Sequence, residues 1–295
     1  MIDIQECPIC KSRDLQKFTH CKDYTVSHET FQLDLCQKCE LGITTPRPDT
    51  NRLSEYYQSE EYISHSGKSS GGIGFLYKIA RSFSLNWKKK IIQKHKITGN
   101  ILDFGCGTGE FLNTMQGAGW EVTGVEPSDS ARLKSEILLA QKTYHSLDGF
   151  PERKFDVITT WHVLEHVPDL IETILKLKSL LKKDGTIFIA VPNYQCHDAT
   201  FYKELWAGYD VPRHLWHFSK RSMSLLLESI GLKLVDTIPM KLDAYYVSML
   251  SEKYRTKNQL PLTCLLKGFA SGLKSNLKAR RETNHSSLIY IAESQ

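Results

Sequence analysis

The sequence predicts an α/β protein in which a small cysteine-rich N-terminal module precedes a doubly wound sheet. Three observations carry this reading. From about Ile97 onward, short apolar runs alternate with helix-like ones, the order that builds a largely parallel sheet covered on both faces. A glycine-rich turn closes the first apolar run, at the end of the strand where open α/β sheets bind ligands. Two CxxC pairs fall within the first 39 residues, a pattern that suits a metal-stapled module.

Three zones follow. Residues 1–48 are rich in cysteine and end at the breaker run TPRPD; residues 49–96 are rich in aromatic and basic residues, a helical linker and lid segment interrupted by SGKSSGGIG; residues 97–295 alternate strand and helix. In the third zone ILDF (101–104) reads as the first strand and Glu110–Gln116 as a helix. EVTGVE (121–126) is the second strand, after which Pro127 and Ser128 open another helix with Ser128 as N-cap. Lys142–His145 is a short third strand and FDVITTW (155–161) a fourth. Pro168 starts a helix, and Asp184-Gly185 turns into TIFIAVP (186–192), the clearest buried strand. After a long loop (193–219) come a helix at Arg221–Ser229, a strand at Leu232–Ile238, more helix, and a last strand, SSLIYIAE (286–293). This makes seven strands, the last one expected to be antiparallel.

With 41% hydrophobic and 24% charged residues in 295, the chain has an ordinary globular composition. No apolar run reaches the roughly 20 residues of a membrane span. The start, MIDIQECPIC, lacks the basic and apolar regions of a secretory signal, so a cytoplasmic location is expected. There, eight cysteines point to metal ligands or free thiols rather than disulfides. The net charge of +5 is uneven: Tyr62 to Leu102 holds no acid and eight bases, and Lys241 to the end holds nine bases and four acids. These basic segments are candidates for contact with nucleic acid, an anionic membrane or a phosphorylated substrate, the alternative being a solvated face.

Cys7 and Cys10 lie in CPIC, Cys36 and Cys39 in CQKC. Four thiolates on two such turns are what a closed tetrahedral structural zinc site requires. A 48-residue zone with little apolar material needs such a staple. Cys21 has no partner spacing and reads as a spare thiol.

The chemistry-bearing segment is LDFGCGTGEF, from Leu102 to Phe111. Gly105, Gly107 and Gly109 permit tight turns and close approach of a ligand. A dinucleotide fingerprint would need glycine at position 110, which is Glu110, and no Lys-Ser/Thr pair of a phosphate-binding P-loop is present. Instead an acid, Asp103, precedes the glycines, and another, Glu126, ends the second strand. A carboxylate at Glu126 can accept both ribose hydroxyls of an adenosine-type ligand. Asp103 suits an ammonium or sulfonium better than a pyrophosphate.

From Leu102 onward, about 195 residues resemble the Rossmann-like class I S-adenosylmethionine (SAM)-dependent methyltransferases, in particular the group similar to ubiquinone-biosynthesis methyltransferases. The matching segments are DFGCGTGEFL, VEPS, FDVITTWHVLEHVPD and LLKKDGTIFIAVPN. The resemblance implies that Asp103 and the turn Gly105, Cys106, Gly107 and Gly109 line the methionine end of SAM. It implies that Glu126, with Pro127 beside it, holds the ribose, and that Ser146 and Leu147 are candidates for adenine contacts. It places Trp161 and His162 beside the methyl-bearing sulfur.

Zinc modules also occur on RNA methyltransferases, but Met1–Thr50 holds six basic and eight acidic residues, which disfavours nucleic acid. A zinc domain before a SAM domain is similar to the arrangement in sugar-nucleotide C-methyltransferases. The segment SEYYQSEEYISHS, with Tyr56, Tyr57, Tyr62 and His65, resembles theirs. Their large C-terminal domain has no counterpart in this sequence.

The loop 193–219 concentrates Trp206, Tyr209, Asp210, Arg213, His214, Trp216 and His217. Loops of this length and composition are usually functional. Arg213 is a candidate to hold a carboxylate or phosphate, and Asp210 paired with His214 or His217 a candidate base. His162 is a further catalytic candidate, whereas His166 fits a structural helix-entry turn. LKGFASGLKSNLKARRE (266–282) aligns Leu266, Phe269, Leu273 and Leu277 on one helical face; either the stripe packs on its own sheet or it meets a membrane or partner. The expected function is methyl transfer from SAM to a small-molecule, lipid-linked or sugar-linked acceptor. The rivals are an RNA- or protein-modifying enzyme that grips through the zinc module, and a SAM-binding protein without turnover.

Overall fold

β-branched and aromatic runs bounded by glycine and proline set the strands of the computed structural model, which describes residues 1–57, 72–148, 150, 153–256 and 261–294, with 72–80 and 261–262 described by backbone alone. Tyr62, His65 and residues 66–71 of the glycine-serine run lie outside the described residues.

The N-terminal zone forms three antiparallel strands, β1 (Leu15–Lys22), β2 (Thr30–Cys36) and β3 (Gly42–Thr44). A short helix, α1 (Thr50–Leu53), and the long α2 (Gly72–His95) lead into the main sheet. That sheet contains β4 (Asn100–Phe104), β5 (Glu121–Val125), β6 (Phe155–Trp161), β7 (Leu181–Pro192), β9 (Leu232–Pro239) and β10 (Ser287–Ser294), in the order β5-β4-β6-β7-β10-β9. β5, β4, β6 and β7 are parallel, while β10 runs antiparallel between β7 and β9. Between them lie α3 (Glu110–Gln116), α4 (Asp129–Leu139), α5 (Leu170–Ser179), α6 (His197–Tyr202) and α7 (Lys220–Ser229), whose N-cap Ser219 forms a capping box with Ser222.

Among the described residues the main sheet has six strands, not the expected seven. The expected strand at Lys142–His145 is one parallel bridge, Tyr144 beside Val125 at the outer edge of β5. Tyr144 donates to the Gly124 carbonyl and accepts from the Glu126 N–H. The chain then turns at Ser146, whose hydroxyl accepts the Asp148 N–H, so no further pair forms.

The loop 193–219 crosses to the N-terminal module. Its residues β8 (Trp216–His217) pair antiparallel with β3 and become the fourth strand of the sheet β1-β2-β3-β8. The cores merge as well: Cys7, Cys36, Cys39, Leu41 and Ile43 belong to one buried cluster with Leu102, Ile158 and Ile189.

Two helices, α8 (Asp243–Arg255) and α9 (Pro261–Ala279), fill the connection between β9 and β10. They approach closely through glycine. A Cβ on Gly268 would sit 2.5 Å from the Met249 Cα, and one on Gly272 2.7 Å from the Tyr245 Cα. The stripe Leu266, Phe269, Leu273 and Leu277 consequently faces outward and is exposed, which overturns the reading that it packs on its own sheet. Among the described residues no helix is long and apolar enough to cross a membrane.

Candidate functional site

The cradle at the carboxyl end of β4 follows from its glycines. Gly105 takes φ +77°, and a Cβ there would collide with the Val163 side chain at 2.4 Å. Gly107 takes φ +55°, yet a Cβ on it would meet nothing within 4 Å. Gly105 is therefore needed for packing, and Gly107 borders open space that a ligand can enter. Cys106 turns its thiol inward beneath Gly124, so only its backbone faces the turn; burial pushes this thiol up to about 12.

The Glu126 carboxylate accepts the Gly107 N–H through Oε2 at 2.9 Å and the Ser128 N–H through Oε1 at 2.8 Å. Each oxygen keeps a second lone pair, enough for two ribose hydroxyls. Pro127 beside it is exposed, Ser146 is half-buried, and Leu147 packs against the main core.

Asp103 is 1% exposed and accepts the Thr159 hydroxyl at 2.6 Å. Burial raises its carboxyl to about 7, opposed by the Thr159 hydrogen bond and the Lys88 ammonium. Lys88, on α2, lies 4.3 Å from the centre of the Trp161 ring. Burial lowers its affinity for a proton, and the Asp103 and Asp243 charges restore part of it. The Trp161 Nε1 is buried and finds no hydrogen-bond partner among the described residues.

His162 follows Trp161 with φ +57°, a left-handed conformation for a non-glycine residue, and its N–H bonds the Ala190 carbonyl at 2.9 Å. Its ring lies between two carboxylates, Nε2 at 3.0 Å from Asp243 and Nδ1 at 3.3 Å from Glu165. Burial disfavours the imidazolium, but these two partners outweigh it and hold the ring at about 10. Glu165 is fully buried, and its Oε2 has no hydrogen-bond partner among the described residues.

The acceptor-loop residues divide between two surroundings. Arg213, expected to bind substrate, is 1% exposed and spans Asp23 at 3.0 Å, Asp210 at 2.6 Å and the Tyr56 carbonyl at 3.0 Å. His217, expected as a base, bonds Thr44 through Nε2 at 2.9 Å, and burial drives it strongly toward the neutral form. His217, in β8, and Arg213, just before it, are thus both buried in the seam with the N-terminal module. Asp210 serves Arg213 first, and its other oxygen lies 3.9 Å from His214 Nε2.

His214 and His166 each hold a backbone carbonyl at Nδ1, those of Gly208 and Arg213, both at 3.0 Å. Their rings meet edge to face at 4.6 Å. With Glu165 they offer three donor atoms within 4.8 Å of one another, and Tyr57 reaches His166 Nδ1 at 3.0 Å.

The residues that the sequence did not single out are Lys88, Thr159, Glu165 and Asp243. Lys88 is hidden in a run of three lysines that reads as surface charge, and Asp243 lies 81 positions from the histidine it holds.

In the N-terminal module the four cysteine sulfurs lie within 4.8 Å of one another. Cys7 and Cys39 are 3.3 Å apart, and Cys10 and Cys36 3.4 Å. A tetrahedral zinc with bonds of about 2.3 Å sets its ligands ~3.8 Å apart, so these pairs fit after spreading by roughly half an ångström. The hydrogen bond from the Cys39 thiol lowers Cys7 to about 5 and raises Cys39 in turn, so Cys7 is the readier thiolate of this pair.

A six-stranded sheet with one antiparallel inner strand, a glycine cradle and an acid at the end of the second strand define a methyltransferase-type α/β domain. Residues 77–237 match the family described as Methyltransferase domain, and the chain belongs to that family. Ubiquinone biosynthesis O-methyltransferase of Actinobacillus pleuropneumoniae serotype 7 is 39% identical over 106 residues, covering 32% of this chain and 45% of the relative. The enzyme of the same description from Aromatoleum aromaticum is 34% identical over 102 residues, covering 32% and 44%. The chain thus spans less than half the length of these curated relatives. A crystal structure from Galdieria sulphuraria, described as a sarcosine dimethylglycine methyltransferase, superimposes with a TM-score of 0.51 at 14% identity, covering 73% of this chain and 86% of that one.

Proposed function

We propose that the protein transfers a methyl group from SAM to a hydroxyl of a small-molecule acceptor. The observation that carries this reading is the cradle itself: Glu126 with two free lone pairs, Asp103 behind the turn, and open space at Gly107. The O-methyltransferase names of the relatives support the hydroxyl.

Bound SAM supplies an electrophilic methyl on a sulfonium that departs as a neutral thioether, so no acid is needed at the leaving group. Glu126 would hold the ribose, and Asp103 with the turn Gly105–Gly109 the methionine end. Trp161 and Lys88 would wall the sulfur side and exclude water. The acceptor hydroxyl must lose its proton as the new C–O bond forms. His162 is positively charged at neutral pH and has a carboxylate on each nitrogen, so it lacks a lone pair for that proton. We assign the proton to the Asp243 carboxylate, with His162 as its positioning residue. The loop candidates divide accordingly: His214 with Asp210 forms a buried wall, and Arg213 and His217 a structural seam.

We further propose that Cys7, Cys10, Cys36 and Cys39 hold one structural zinc, with residues 1–48 as the zinc module, 49–96 as linker and lid, and 97–295 as the methyltransferase domain.

The test is to incubate the protein with SAM and a panel of catechol-like rings, sugar nucleotides and RNA, reading demethylated SAM and the methylated product by mass spectrometry. Hydroxyl methylation that falls by roughly 10²–10⁴ in Asp243→Asn, with SAM affinity within a few fold, supports the assignment. Turnover on RNA alone, or full turnover in Asp243→Asn, would overturn it.

A further inference from the structure

Helix α9 is built inside out. Its inward face carries Cys264, Gly268, Gly272, Ser275 and Ala279, all buried. Its outward face carries the large apolar side chains, with Leu266 64% exposed, Phe269 57% and Leu277 49%. A surface helix ordinarily does the reverse, because burying a leucine or phenylalanine is what holds it to the core. Here the glycine contacts with α8 fix the helix, leaving the apolar stripe facing out. Phe269 stacks on Tyr245 at 4.8 Å, which joins α8 to the same surface.

The charge along the stripe's own helix has one sign. From Pro261 to Arg281 the chain has five basic residues and no acid. Lys267, Lys274 and Lys278 are exposed along one flank of the stripe at helical spacing, and Arg280 and Arg281 are exposed at its end. An exposed apolar strip edged by lysine matches a phospholipid surface, where aliphatic side chains enter the acyl boundary and the cations meet anionic headgroups.

We infer that the outward face of α9 binds an anionic bilayer surface. The helix would lie flat in the interface, with Leu266, Phe269, Leu273 and Leu277 inserted and the lysines at headgroup level. Asp243, the first residue of α8, reaches His162, so the docked hairpin would set the candidate site beside the membrane, where a lipid-linked acceptor is presented. The docking itself does not depend on the methyl-transfer reading.

The experiment is vesicle flotation of the full chain with phosphatidylcholine alone and with phosphatidylcholine containing phosphatidylglycerol, over a series of salt concentrations. Binding is expected on the anionic vesicles only, weakening as salt rises. Phe269→Glu with Leu273→Glu should reduce it at least tenfold, and so should Lys274→Glu with Lys278→Glu. Phe269→Glu forfeits the stack on Tyr245, so its melting temperature should fall slightly, while SAM affinity in both double variants and the melting temperature of the lysine variant should stay at wild-type values. Failure to float with either vesicle would overturn the inference, as would binding unchanged in both double variants. Light scattering gives a further refuting outcome: a dimer that Phe269→Glu with Leu273→Glu converts to monomer, without vesicle binding, would assign the face to a second copy.

Discussion

Removing the Glu126 carboxylate should separate ligand recognition from scaffold support. In the structure its two oxygens accept the Gly107 and Ser128 N–H groups at 2.9 and 2.8 Å. Ser128 is exposed and Gly107 half-buried, so in Glu126→Ala water can replace the lost acceptor for both donors. The unliganded fold should therefore lose little, about 1 kcal/mol. A bound ribose has no such substitute, because its hydroxyls would face a hole walled by the turn. A hydrogen bond to a charged group contributes about 1.5–3 kcal/mol; if one such bond is lost net, Kd for SAM rises about 10- to 150-fold. Titration calorimetry with SAM and with its demethylated product reads this directly, and a thermal melt without ligand reads the scaffold. Glu126→Gln, which keeps one carbonyl acceptor but sets an amide N–H against a backbone N–H, should fall between the two. A Kd within twofold of wild type in Glu126→Ala would refute the ribose assignment. Weakened binding accompanied by a large loss of unliganded stability would refute the separation argued here.

Three further outcomes are expected. Metal analysis should return one zinc per chain, and Cys36→Ser should lower a single cooperative melt of the whole chain because the module shares the main core; a separate early transition that spares SAM binding would contradict this. Arg213→Met should cost roughly 3 kcal/mol by leaving Asp23 and Asp210 without their partner, while SAM affinity changes less than twofold; a selective rise in acceptor KM at unchanged stability would return Arg213 to the substrate. Asp103 titrates at about 7, raised mainly by burial. A cationic ligand binds the ionised form, so SAM affinity should be constant above pH 7 and fall by up to tenfold per unit below it. The fold without ligand should gain stability as pH falls from 7 toward 4, since the buried acid then takes up its proton before the unfolded chain does. Calorimetry between pH 5.5 and 8.5, with Asp103→Asn as the pH-independent reference, checks the first effect, and a pH-independent wild type would refute it.

The parts legible in the sequence are those set by local rules. The glycines at 105 and 107 announce a turn that side chains cannot make, and the CxxC pairs announce a site whose members sit three positions apart. β4, β5, β6 and β7 read directly from apolar runs because both faces of a parallel sheet are buried. The illegible parts depend on pairs distant in sequence. Nothing in Trp216–His217 marks two residues as a strand, because their partner is β3, some 170 positions earlier. The concentration of Arg213, His214 and His217 looked catalytic because acids, bases and aromatics also build buried polar seams; only Asp23 and Thr44 distinguish the two uses. The apolar stripe of α9 was visible, but its direction was not, since that follows from Gly268 and Gly272 meeting α8 backbone.

The seam also gives the N-terminal module a part in placing residues of the main domain. Arg213 reaches into the module at Asp23 and holds Asp210 from the same guanidinium. Its carbonyl orients His166, which also meets Tyr57 and packs edge to face on His214. The Glu165 carbonyl caps the N–H groups of Leu215 and Trp216 as they enter β8, while its carboxylate holds His162, and His162 holds Asp243. Glu165 is thus clamped from its backbone side by the strand that joins the module and commits its side chain to His162. Its position is the joint product of the two sheets. A metal that fixes Cys36 and Cys39 therefore fixes the register of β2 and β3, then of β8, and through Glu165 the orientation of His162. On this argument the N-terminal module supports, through the backbone of Glu165, the placement of His162.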